Sequence, residues 1–164
     1  MADVVVRRAA IEDAKTIAGF ALELFRQHRE YDERRFMEVS DHRQAEKYYG
    51  SQTNAKDSAV LLAELDEKVV GFAFIQFELI NYAGLLESAA WLHDIYVEDA
   101  ARQSNAGRSL IEAAARTAKE LGASKLMLTV AVQNEIARRF FEHAGFRTTM
   151  LEMMLDLTEQ KDND

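Results

Sequence analysis

The chain has 164 residues, 48% of them hydrophobic, a size and composition suited to one domain with a core of its own. Lys and Arg number 20 against 28 Asp and Glu, a formal charge of −8, which argues against a nucleic-acid footprint and leaves two readings, solubility or a cationic partner. Cysteine is absent, which excludes disulfides, a thiolate nucleophile and cysteine-based metal sites, and the four scattered histidines make no metal motif.

No basic-then-apolar leader opens the chain and no apolar run approaches a membrane span, so a cytoplasmic protein with no membrane partner is expected. Val4, Val5 and Val6 read as a short first strand. From Ile11 to about Glu30, Ala14, Ile17, Ala18, Ala21, Leu24 and Phe25 recur at helical spacing. The charged run from Arg26 to Arg35 mixes both signs, as a solvated face does. Ser40 is the expected N-cap of a second helix that carries Ala45, Tyr48 and Tyr49 and ends near Gly50. Ser58 to Leu65 and Val69 to Leu79 read as strands joined across Asp66-Glu67-Lys68, a hairpin, with Gly71 marking a bulge or a close backbone approach. Asn81 to Ser88 reads as a loop.

The next stretch organises the chain. Trp91 to Val97 reads as a buried strand and Glu98 to Asn105 as a polar loop. A helix follows, with Leu110, Ile111, Ala114, Ala115, Ala118 and Leu121 on one face and Gly122 as its left-handed end. On strict alternation, Trp91, His93, Ile95 and Val97 share one strand face, and Leu92, Asp94 and Tyr96 the other. The loop Arg102-Gln103-Ser104-Asn105-Ala106-Gly107 meets the start of the helix, where unpaired N–H groups and the dipole favour an anion. Taken alone, the loop is equally a plain helix cap supplied by Ser104 or Asn105. Lys125 to Val132 reads as a further strand and Asn134 as the cap of a short helix in which Ala137, Phe140, Phe141 and Ala144 pack inward and Gly145 terminates. Thr148 to Leu157 reads as a final strand, and Glu159 to Asp164 as a charged tail beyond a domain spanning residues 1–158. Strands alternating with helices, plus hairpins at both ends, predict a mixed sheet in an α/β fold.

The strand, the Arg-x-x-Asn-x-Gly loop, the helix, the second strand and Asn134-x-x-Ala137-x-x-Phe140-Phe141-x-x-x-Gly145-Phe146 together resemble the acetyl-CoA site of GNAT-superfamily N-acetyltransferases. The resemblance implies a mostly antiparallel mixed sheet flanked by about four helices, and acetyl-CoA as co-substrate with no metal. It implies that the loop and first helical turn, Arg102 to Ser109 with Arg108, cradle the pyrophosphate, while the backbone of Ile95 and Val97 pairs with the pantetheine arm and Asn134 and Phe141 lie along the cofactor. It also implies a homodimer, a role to which the apolar last strand, rich in Met150, Leu151, Met153 and Met154, is suited. The stretch from Phe77 through Val97 is similar to spermidine/spermine and thialysine acetyltransferases, in which a Glu-Asp pair stands where this chain has His93-Asp94.

Attack of an amine on a thioester requires a neutral amine, a stabilised oxyanion and a thiolate that can leave. His93 matches the position that presents a base to the acceptor, and an imidazole, titrating near neutral pH, is suited to the task; the alternative is a strand histidine bonded to its neighbours. Asp94 either anchors a cationic amine or orients a neighbour. Two departures from the family pattern stand out. Asn105 occupies the first glycine of the loop, a position where its tolerance of positive φ would matter. Phe141 replaces the tyrosine that many members place near the sulfur, and phenylalanine donates no proton, so Tyr96 and Tyr82 are the candidate acids. The reading is an acetyl-CoA-dependent N-acetyltransferase acting on a small primary amine, polyamine-like or amino-acid-like. Its alternatives are a CoA-binding module with little catalysis, or acetylation of a protein N-terminus or lysine.

Overall fold

The computed structural model describes residues 3–158, so the tail expected over Glu159 to Asp164 lies outside the described residues. Five strands form one sheet in the order β1-β2-β3-β4-β5: β1 (Val4–Arg8), β2 (Ser58–Leu65), β3 (Lys68–Glu78), β4 (Ala89–Val97) and β5 (Leu126–Met127). The first four run antiparallel and β5 lies parallel to β4. Four α-helices flank the sheet: α1 (Ala14–Tyr31), α2 (His42–Gln52), α3 (Ala106–Glu120) and α4 (Glu135–His143). This is the expected mixed, mostly antiparallel α/β architecture.

Alternation along β2 and β3 builds two apolar layers. Leu61, Ala63, Ala73 and Ile75 face Leu110, Ile111 and Ala114 of α3, while Val60, Leu62, Phe72 and Phe74 face Ile17 and Ala21 of α1 and Tyr49 of α2. Each large side chain so buried contributes about 1.5–3 kcal/mol. The central strands are therefore apolar on both faces, and their burial is nearly unbroken from Ser58 to Ala63 and from Val70 to Ile75.

Several local expectations hold. Asp66 and Glu67, both at positive φ, make a two-residue hairpin turn, and Lys68 already pairs with Leu65 in β3. At Gly71 an added Cβ would overlap the carbonyl oxygen of Tyr96, and the register shifts beside it between Ala63 and Glu64. Gly122 and Gly145 end their helices at φ +90 and +98.

Others are corrected. The cap of α2 is Asp41, not Ser40, because the Asp41 carboxylate accepts a hydrogen bond from Gln44 N at 3.1 Å. The strand expected over Lys125 to Val132 pairs only at Leu126 and Met127. The strand expected over Thr148 to Leu157 forms no ladder, so the sheet has no C-terminal hairpin. A strand needs a partner edge, and although Leu151, Met153, Leu155 and Leu157 recur with period two, the segment pairs with no edge among the described residues. It is held instead by ion pairs to the turn after α1, Arg35 with Glu152 and Arg34 with Asp156 at 3.1 Å, which leaves Leu151 and Met153 79% and 92% exposed.

Candidate active site

The site begins with a defect in β4. Phe74 pairs with Asp94, but Ile75 pairs with Leu92, so His93 is an extra residue with no partner on β3. Such a bulge breaks alternation. Leu92, Ile95 and Val97 consequently pack together in the α3 layer, whereas Asp94 and Tyr96 turn toward α1 and α2. The strict two-face reading of Trp91 to Val97 is thus corrected: Ile95 and Val97 part from His93, which joins Phe74 on the α1–α2 side at a ring separation of 5.6 Å.

The second feature is an opening. On its other edge β4 pairs with β5 only at Ala90 with Leu126 and Trp91 with Met127. Beyond Trp91 that edge has no strand partner among the described residues, which leaves an opening beside β4 for an extended ligand. Leu128, Val130, Phe140, Phe141 and Phe146 belong to the same apolar layer as Ile95 and Val97. Phe141 is buried there, its ring 5.8 Å from that of Phe146.

At the end of β4 the chain makes a single 3-10 turn, Asp99–Ala101, and enters α3. Arg102 returns to the strand, its Nε donating to the Val97 carbonyl at 3.3 Å and its guanidinium pairing with Asp99 at 2.9 Å. Ser104 Oγ accepts from Ala106 N at 3.2 Å. Asn105 occupies the cap position without a side-chain capping bond, at φ −77 and ψ 8, so no left-handed turn is required of it. Gln103 is exposed, Arg108 pairs with Glu112 at 3.0 Å, and Ser109 N closes the first intrahelical bond to Asn105 O. Gly107 lies against α4, where a Cβ would meet the Phe140 ring at 3.3 Å. Asn134 caps α4 as expected, accepting from Ala137 N at 3.1 Å.

The three candidate catalytic side chains share the α1–α2 side of β4 but have separate partners. His93 Nε2 lies 2.8 Å from Glu78 Oε1, with Trp91 stacked beside it at 6.4 Å. Asp94 accepts a hydrogen bond from the Tyr49 hydroxyl at 2.7 Å. Burial pushes the Asp94 carboxyl above the usual carboxylate range, partly offset by that bond and by His93 and His28 nearby. Tyr96 packs against Phe20 at 5.4 Å, and burial raises its phenol, with Glu23 and Asp99 adding to the effect. Tyr82 is 83% exposed in the loop before β4. Neither Glu78 nor Tyr49 is expected as a partner from the sequence; the β3–β4 register, which sets Glu78 opposite Ala89, brings Glu78 to His93.

Surface cavities of about 570 and 420 Å³ lie along α1 and the segment after it, lined by Arg26, Arg29, Glu30 and Asp32, and by Phe25, Met37 and Val39 respectively. Neither touches β4, so the site is defined by strand geometry, not by cavity size.

The family model described as the acetyltransferase (GNAT) family matches residues 21–146. The chain belongs to the GNAT acetyltransferase family and is an N-acetyltransferase. Solved GNAT-like folds agree in architecture. A mutant of the BH1408 protein from Bacillus halodurans superposes with a TM-score of 0.82 at 19% identity, covering 93% of this chain and 99% of that one. The aminoglycoside N-acetyltransferase AAC(6')-Iy, solved in complex with CoA, gives 0.77 at 18% identity, with 95% of each chain covered. A ribosomal-protein-alanine N-acetyltransferase from Brucella melitensis biovar Abortus 2308 gives 0.65 at 21% identity, covering 94% and 100%. No curated protein matches the sequence. Within this GNAT chain no described helix is long and apolar enough to cross a membrane.

Proposed function

We propose that this acetyltransferase moves the acetyl group of acetyl-CoA directly to the primary amine of a small cationic molecule, polyamine-like or amino-acid-like, at the opening beside β4. The observation that carries the reading is the unpaired edge of β4 beyond Trp91, with His93 at its mouth and the N-terminus of α3 at its far end. These elements fit an extended thioester with an anionic tail. The backbone of Ile95 and Val97 would hold the pantetheine arm, with Asn134 and the buried ring of Phe141 beside it. Residues Arg102, Gln103, Ser104, Asn105, Ala106, Gly107, Arg108 and Ser109 would hold the pyrophosphate through first-turn N–H groups and two guanidinium groups. When bound, acetyl-CoA supplies the activated acyl group.

The chain's own side chains do the rest. His93 takes the proton from the attacking amine, and Glu78 fixes its ring by binding Nε2, which leaves Nδ1 to act. Asp94 and Glu78 make this end of the cleft acidic and so favour a cationic acceptor. Tyr96, whose phenol holds its proton above neutral pH, is the donor assigned to the leaving thiolate in place of Phe141. The polyamine-like end of the range rests on the similarity of Phe77 to Val97 to the spermidine/spermine branch. We place the activity in one domain over residues 1–158 of a cytoplasmic homodimer, in which a second copy covers the apolar segment Met150 to Leu157.

Calorimetric titration of acetyl-CoA into wild type and His93→Ala tests the assignment, with thiol release read against polyamines, amino acids, neamine and an N-terminal peptide. Equal cofactor affinity is expected, with turnover at least about 100-fold lower in the variant. Saturable binding without turnover on any amine would make the protein a CoA-binding module, and turnover on the peptide alone would move the acceptor to protein.

A further inference from the structure

Tyr49 is 1% exposed, with its ring 5.6 Å from Phe72 and 5.8 Å from Phe74 in the layer under α2. A phenylalanine would fill this apolar site equally well, and a buried phenol costs free energy unless its hydroxyl is hydrogen-bonded. The hydroxyl has one such bond among the described residues, to Asp94 Oδ2 at 2.7 Å. The other oxygen of that carboxylate, Oδ1, accepts no hydrogen bond from any described residue. Among the described residues no fully buried side-chain polar atom lacks a partner, so Oδ1 is not fully buried. Asp94 stands one residue from His93, immediately after the β4 bulge. The carboxylate is thus held by one oxygen from beneath and free at the other.

We propose that Tyr49 is a positioning residue that grips Asp94 Oδ2 and thereby presents Oδ1 to the ammonium group of the acceptor amine, beside the His93 imidazole. The assignment rests on reading the β4 opening as the acetyl-transfer site. It divides the labour between neighbours: Asp94 binds the amine and His93 receives its proton. The titratable groups around the carboxylate are His93 on β4, with Glu78 of β3 bonded to it, His28 on α1, and Tyr48 and Tyr49 on α2.

Calorimetric titration of spermidine, lysine and neamine into the CoA-saturated full chain tests this in wild type, Tyr49→Phe, Asp94→Asn and the double variant. The amine that binds wild type is expected to bind each single variant about tenfold more weakly, the size of one charge-assisted hydrogen bond. The double variant is expected to be no weaker than Asp94→Asn, because Tyr49 acts only through that carboxylate. In Tyr49→Phe the acid limb of amine affinity moves to higher pH, since the lost donor had favoured the ionised carboxylate. Unchanged affinity in Tyr49→Phe, losses that add in the double variant, or no amine binding by wild type each overturn the assignment. Thiol release is scored separately: intact, Asp94-dependent amine binding without release removes the acetyl-transfer reading and leaves the amine site standing.

Discussion

At the level of single residues, the site is a set of pairs. Glu78 and His93 are both more than a third exposed, so their contact contributes little to stability, and its value lies in orienting the ring. Glu78→Gln keeps a side chain of the same shape but removes the charge. Turnover is expected to fall about tenfold with acetyl-CoA affinity unchanged, a loss of the size expected when an orienting partner is weakened. An unchanged rate would separate Glu78 from the chemistry. Asp94 behaves differently because it is largely desolvated. Its carboxyl holds a proton to higher pH in the folded chain than in the unfolded one, so its contribution to stability falls as pH rises through that range. Asp94→Asn is therefore expected to melt above wild type at pH 7, with the difference closing toward about pH 4, where an unfolded aspartate also protonates. A variant that melts lower at every pH would mean that the charge stabilises the fold.

At the level of elements, two bulges shape β3 and β4. The first, beside Gly71, brings the backbone of β3 against Tyr96 so closely that only glycine fits. Gly71→Ala must push β4 away from β3. A loss of about 1–3 kcal/mol is expected, seen as a melting point roughly 3–10 °C lower, together with weaker acetyl-CoA binding if the displaced β4 edge carries the cofactor. Wild-type melting would show that the sheet yields at no cost. The second bulge, at His93, turns the first half of β4 out of phase with the second, so that His93 and Asp94, adjacent in sequence, serve one side of the sheet. The helix after it needs no special residue at Asn105, whose φ of −77 any residue adopts. The departure from the family glycine there changes bulk beside the proposed pyrophosphate site, not backbone strain.

At the level of the whole molecule, charge and apolar surface point to different partners. The formal charge of −8 and the carboxylates near His93 suit a cationic acceptor. The segment from Met150 to Leu157 leaves Met150, Leu151, Met153, Leu155 and Leu157 each more than 70% exposed, a patch that a lone soluble chain rarely carries. Light scattering at working concentration is expected to give twice the chain mass, and Leu151→Glu with Met153→Glu to return the monomer. A monomeric wild type would leave the segment without its proposed cover.

Much of this architecture was legible in the residues because it is governed locally. The period of Leu110, Ile111, Ala114 and Ala118 specified α3 and its buried face, Gly122 and Gly145 their helix ends, and Asn134 its cap, since each depends on neighbours within a few positions. The motif order around Arg102 to Gly107 and Asn134 to Phe146 was enough to point to the family. What sequence alone left undecided is what contacts between distant segments decide. Whether Lys125 to Val132 and Thr148 to Leu157 become strands depends on pairing with a distant edge: the first leaves β4 after Met127 although that edge continues, and the second joins no ladder among the described residues. The bulge at His93, the Glu78 contact 15 positions away and the Tyr49 hydroxyl under Asp94, 45 positions away, follow from strand register and helix packing. No local pattern encodes them, because each is set where two separately folded elements meet.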